Sequence, residues 1–176
     1  MTDQAEVVFS TARLEAVFLS AAQADEADKV MLGAPKFYQG EFETDPEPGF
    51  VAELLEAPPP PGTSKVAVFP LGLQEKGKTD FIGIAHLVLG YPTETTLFVG
   101  MIVLAEANQK KGFGKELIGG IYDWARPQGI DFIRIRVHPR HTEASGFLDK
   151  MGFVDLPNKL STGHVVWERK VPATED

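Results

Sequence analysis

The sequence predicts an α/β (α+β) fold, a mixed and mostly antiparallel sheet of six to seven strands with about four helices on its faces. Short β-rich runs alternate with segments of helical periodicity along all 176 residues. Three of the runs follow one another with only turns between them, as in an antiparallel meander. The length suits one domain with a proper core, so residues 1–176 are read as a single domain.

In chain order, ARLEAVFL (12–19) opens as a strand. AAQADEADKVML (21–32) has helical spacing and stops at Gly33 and Pro35. Residues 36–50 carry Phe37, Tyr38 and Phe42 among acids and prolines and read as a loop. FVAELLEA (50–57) is a short helix, ended by Pro58 to Pro61, which cannot continue it. KVAVFPL (65–71), FIGIAHLVLGY (81–91) and TLFVGMIVL (96–104) are the meander, with QEKGK and YPTET as turns. From Gly112 to about Arg126, Phe113, Leu117, Ile121 and Trp124 follow helical spacing until Pro127 and Gly129. FIRIRV (132–137) alternates as a half-buried strand does. TEASGFLDKM (142–151) places Ala144, Phe147, Leu148 and Met151 on one helical face, with Gly152 as its cap. FVDL and HVVWERKV close the chain as strands.

The net charge of −8 argues against general nucleic-acid binding, which needs a basic footprint, and mildly favours a cationic small substrate. The absence of cysteine removes thiolate catalysis and Cys-type zinc sites and agrees with a reducing cytoplasm. No apolar run is long enough to span a bilayer, and MTDQAEVVFS lacks the basic and apolar regions of a signal peptide.

Within this acidic chain, NQKKGFGKEL (108–117) gathers Lys110, Lys111 and Lys115 around Gly112 and Gly114, between an apolar strand and a helix. A helix start leaves N–H groups without intrahelical partners and carries partial positive charge. Glycines there let a phosphate approach the backbone. A tight turn kept soluble by lysines would explain the same residues. Glu116 after Lys115 excludes a P-loop, which wants Ser or Thr. Leu117 stands where a dinucleotide fingerprint wants a third glycine, and no parallel βαβ unit is expected around it.

Gln109-Lys110-Lys111-Gly112-Phe113-Gly114 resembles the Arg/Gln-x-x-Gly-x-Gly/Ala signature of the GNAT superfamily of acyl-CoA-dependent N-acetyltransferases, and stands where that family has it. HTEASGFLDKMGF (141–153) resembles the family's later helix with its Lys-x-Gly-Phe ending. TARLEAVFL is similar to the opening strand of the branch that includes ribosomal-protein N-terminal acetyltransferases. The resemblance implies acetyl-CoA as cofactor. The amides of residues 110–115 would hold the CoA pyrophosphate, supported by Gln109 and the lysines. Ile102, Val103 and Leu104 would pair with the pantetheine arm where the strands over 96–104 and 132–137 splay apart. His141 replaces the family's usual Asn beside that arm, with Phe147 on the same helix.

The implied chemistry is direct attack of a primary amine, on a small molecule or a peptide N-terminus, on the thioester. The amine's proton needs an acceptor, and the oxyanion a donor. The Tyr that often protonates the departing thiolate is replaced by Leu148, and 96–104 holds no acid or histidine. His138, Ser145 and Glu41 are the candidate catalytic residues. His86, Glu43 and Tyr38 are weaker ones. Arg134 and Arg136 read as a solvated face. His138-x-x-His141 lacks a third ligand, so no metal is expected. The alternative is a GNAT-fold module that binds acyl-CoA or CoA without turnover. The C-terminal strand HVVWERKV offers a pairing edge for a homodimer.

Overall fold

The computed structural model describes residues 6–61 and 66–174. In chain order the elements are β1 (Val7–Ser10), β2 (Leu14–Phe18), α1 (Ala24–Leu32), α2 (Pro35–Phe42), α3 (Phe50–Glu56), β3 (Ala67–Glu75), β4 (Phe81–Leu89), β5 (Thr96–Leu104), α4 (Phe113–Ala125), β6 (Phe132–Val137), α5 (Thr142–Lys150), β7 (Val154–Asp155) and β8 (Val165–Lys170). The described residues thus hold eight strands and five α-helices, one strand more than the upper expectation and one helix more than the four expected. The extra strand is β1, only four residues long, too short to show a period. The extra helix is α2, in the stretch expected to be a loop. Pro35 begins it: at the first helical position its missing N–H costs nothing and its φ is already helical.

The sheet order is β1-β2-β3-β4-β5-β6-β8-β7. All neighbours are antiparallel except β5 and β6. The glycine–lysine stretch therefore does lie in a parallel β5–α4–β6 unit, contrary to expectation. A helix of 13 residues carries the chain back along the sheet, which a parallel pair requires.

The register of β5 with β6 runs from Thr96↔Phe132 to Val99↔Ile135 and stops there, although both strands continue. The break coincides with Gly100. Against β4, His86 faces Met101 while Leu87 faces Val99, so Gly100 is an extra residue, a β-bulge. The bulge inverts the side-chain alternation. Leu97 and Val99 pack into the core beneath α4, whereas Val103 and Met101 pack against the α1 side. A bulged strand bends and twists more, which turns the second half of β5 away from β6.

The core has one half on each face. Leu117, Ile118 and Ile121 of α4 meet Leu71, Leu87 and Ile133, with Leu148 of α5 beside them. Ala27, Val30 and Met31 of α1 meet Val51, Ile84 and Val103. On this second side Asp28, buried, accepts the amide hydrogens of Gly49 and Val51 at 2.8 Å each and so ties α3 to α1. β8 lies between β6 and β7. Val154 pairs with Glu168, Asp155 with Trp167, and Leu156 N–H reaches the Val166 carbonyl at 2.8 Å. The middle of the edge expected to pair with a second copy is therefore taken up by β7 and Leu156.

Candidate functional site

Two halves of a site meet at the end of the sheet where β5 and β6 part. The first is the mouth of α4. Gly112 is its N-cap with φ 82°, a left-handed conformation natural to glycine, and Lys110 precedes it at φ 62°. The helix has no side-chain cap, and the amides of Gly112, Phe113, Gly114 and Lys115 bond to no group of the described residues. Lys110, Lys111 and Lys115 are exposed around them. Phe147 of α5 lies 3.6 Å from where a Gly114 Cβ would stand, so α5 forms one wall.

A salt bridge that sequence reasoning missed braces this mouth. Glu116 accepts from the Thr11 hydroxyl, from Arg13 N–H at 2.9 Å and from Arg13 Nε at 2.7 Å. Burial alone would raise the Glu116 pKa, but the hydrogen bonds from Thr11 and Arg13 hold it below its usual value. The Arg13 guanidinium lies over the Phe113 ring at 4.3 Å and donates to the Lys111 carbonyl at 3.1 Å. The signal was present in the Arg-Leu of the opening strand, whose function there is to hold the helix mouth. Gln109, expected at a pyrophosphate, turns its side-chain amide to the Leu104 carbonyl at 2.8 Å and fixes the turn between β5 and α4.

The second half is the inner edge of β5 beyond Val99. Ile102, Val103 and Leu104 lie on this stretch, past the last β6 pair. Arg136 crosses the gap and donates to the Gly100 carbonyl at 2.9 Å. Neither arginine of β6 is a merely solvated face, since Arg134 pairs with Glu168 at 2.6 Å. His86 faces Met101 across the β4–β5 ladder, and burial first and the Arg136 charge second lower its pKa.

Just past the end of β6, α2 meets the N-terminus of α5. Glu41 Oε2 lies 2.8 Å from His164 Nε2, and Glu41 Oε1 lies 3.2 Å from His141 Nε2. The latter contact is within ion-pair reach but off hydrogen-bond alignment, so the buried His141 Nε2 lacks an aligned partner. Burial would raise the Glu41 pKa, but the close contacts with His141 and His164 outweigh it and bring it to about 2. His164 Nδ1 in turn lies 2.7 Å from Thr162 Oγ1. The His141 ring stacks on Phe37 at 5.0 Å. His138 stands edge-on to His164 at 5.2 Å, and burial followed by the Arg140 charge lowers its pKa.

Glu41, His138 and His141 are thus brought together, with His164 joining them unanticipated. Ser145 is set apart, its hydroxyl donating to the His141 carbonyl at 3.2 Å within α5. Leu148 is buried in the core. No group of three His, Cys, Asp or Glu among the described residues is arranged to hold a metal ion. Among them, too, no helix is long and apolar enough to cross a membrane.

Comparison with known proteins places this arrangement. No curated protein sequence matches the chain. Among solved structures, an acetyltransferase from Thermus thermophilus superposes with TM-score 0.72 at 17% identity, over 91% of this chain and 98% of that one. Spermidine N-acetyltransferase from Vibrio cholerae, in complex with CoA and spermine, gives 0.64 at 16% identity over 90% and 95%. The ribosomal-protein-S18-alanine N-acetyltransferase of Escherichia coli gives 0.55 at 12% identity over 93% and 97%. The profile of the Acetyltransferase (GNAT) family matches residues 34–153, which run from the start of α2 through the helix mouth to just past the end of α5. The chain belongs to the GNAT acetyltransferase family.

Proposed function

We propose that this chain is an N-acetyltransferase, a single domain that moves the acetyl group of acetyl-CoA to a primary amine of a small molecule or a peptide N-terminus. The observation that carries this is the conjunction, among the described residues, of unbonded amides at the mouth of α4 with an edge of β5 that has no strand partner beyond Val99. The V. cholerae relative solved with CoA and spermine supports both cofactor and amine class.

The residues present suit the ligand. The amides of Gly112 to Lys115, with the α4 dipole and the exposed lysines, would bind the CoA diphosphate. Backbone groups of Ile102, Val103 and Leu104 would pair with the amides of the pantetheine arm as an added strand does. Acetyl-CoA supplies a thioester carbonyl. The protein's part is to hold it beside the amine, offer a backbone N–H of β5 to the developing oxyanion and take up the amine's proton. A cytoplasmic setting agrees with the cysteine-free chain.

Buried Leu148 favours a second reading, since it leaves no hydroxyl for the thiolate: a module that holds CoA without turnover. A steady-state assay with acetyl-CoA and a panel of diamines, monoamines and short peptides decides between them. Amine-dependent thiol release supports the enzyme. Calorimetric CoA binding without release on any amine supports the module.

A further inference from the structure

Three histidines surround one carboxylate where α2 meets the ends of β6 and β8, and their hydrogen bonds make them unequal. His164 uses both ring nitrogens, on Glu41 and Thr162. His138 Nδ1 accepts the Arg140 amide hydrogen at 3.2 Å. A neutral ring so engaged carries its proton on Nε2 and has no lone pair left to offer. His141 differs. Its Nε2 faces Glu41 Oε1, and its Nδ1 makes no hydrogen bond to the described residues. A carboxylate beside Nε2 selects the tautomer protonated there, which leaves the Nδ1 lone pair available.

The ring is also held still. Phe37 lies parallel to it, with 3° between the planes. Gly40 sits so close that a Cβ there would fall 2.4 Å from His141 Cε1, so α2 is shaped to admit this ring. His164 and Thr162 anchor the second oxygen of Glu41. The charged and titratable groups facing His141 are Glu41 from α2, His138 and Arg140 from the turn after β6, and His164 from the position just before β8. Glu43 takes up the Arg140 charge at 2.7 Å.

We propose that His141 accepts the proton of the attacking amine, with Glu41 as the residue that positions it. The assignment rests on the acetyl-transfer reading above. The neutral amine nitrogen bonds to the thioester carbonyl carbon and its N–H proton passes to His141 Nδ1. Collapse breaks the C–S bond, and the departing sulfur takes that same proton from the imidazolium, directly or relayed through a water. The products are the acetamide and the CoA thiol, with His141 returned to its neutral form.

The test combines a spectroscopic and a kinetic measurement on the full chain. In the ¹⁵N spectrum of the neutral wild-type ring, His141 is expected to be protonated on Nε2 and bare on Nδ1. Glu41→Gln should lose that preference and Glu41→Asp should keep it. A ring protonated on Nδ1 overturns the proposal whether or not a substrate is known. In the assay, His141→Ala should lower kcat by at least about 100-fold and be partly rescued by added imidazole. A variant that transfers acetyl groups at the wild-type rate overturns the role of His141 alone. Wild-type protein that transfers to no amine overturns the acetyl-transfer reading itself, and this role with it.

Discussion

Arg136 donates its Nε–H to the carbonyl of Gly100, the bulged residue at which β5 turns away from β6. The bulge leaves that carbonyl without a strand partner on the β6 side, and the guanidinium replaces one. The contact bridges the parting strands at its root.

Arg136→Ala should therefore cost about 1–3 kcal/mol, the range for losing a charge-assisted hydrogen bond and leaving a part-buried carbonyl unpaired. Removing the cation also relieves the second of the two influences that depress His86, so the His86 pKa should rise while remaining below its usual value because it is buried. Urea unfolding and the His86 proton resonance followed against pH check the two parts.

Gly112→Asp should weaken CoA binding by at least about tenfold, roughly 1.4 kcal/mol, by placing a negative charge where the diphosphate is proposed to sit. Asp tolerates the left-handed conformation better than most residues, and a negative charge suits a helix start. Folding should survive, so calorimetry with CoA and thermal unfolding should separate. Unchanged CoA affinity would remove the diphosphate from α4.

The Glu41 carboxyl titrates near 2 in the folded chain against an ordinary 4.5. A depressed folded pKa favours the folded state above the unfolded pKa, and that stability fades as pH falls from about 4.5 through 2. At neutral pH it amounts to at most roughly 3 kcal/mol. Glu41→Gln should thus be less stable than wild type at pH 7, and the two unfolding curves should converge in acid. A gap that stays constant down to pH 2 would show that the histidines do not hold an ionised carboxylate.

Glu116→Ala should destabilise more than Arg13→Ala. Glu116 accepts three hydrogen bonds at one carboxylate, and its loss leaves the Thr11 hydroxyl and the Arg13 amide unpaired, about 1–2 kcal/mol. Arg13 is half exposed, and its half of the salt bridge is worth less than about 1 kcal/mol. Denaturant midpoints of the two variants give the order. Both should also lower CoA affinity slightly, because both loosen the turn that frames α4.

By itself the sequence determined what depends on neighbours along the chain. The strands at 96–104 and 132–137 were legible to the residue, because alternation and flanking turns are local. So was the bared mouth of α4, because two glycines and three lysines stand within six positions. The helix α2 was not, since Pro35 ends one helix as readily as it begins the next. The tertiary structure alone decided the parallel pairing of β5 with β6, the bulge at Gly100 and the meeting of Glu41 with His164, 123 positions away. Hydrophobic period and turn chemistry report which face a residue takes within its own element. Which elements become neighbours is decided when the two halves of the core close on opposite faces of one sheet, and only that closure puts His141 between Phe37 and the carboxylate of Glu41.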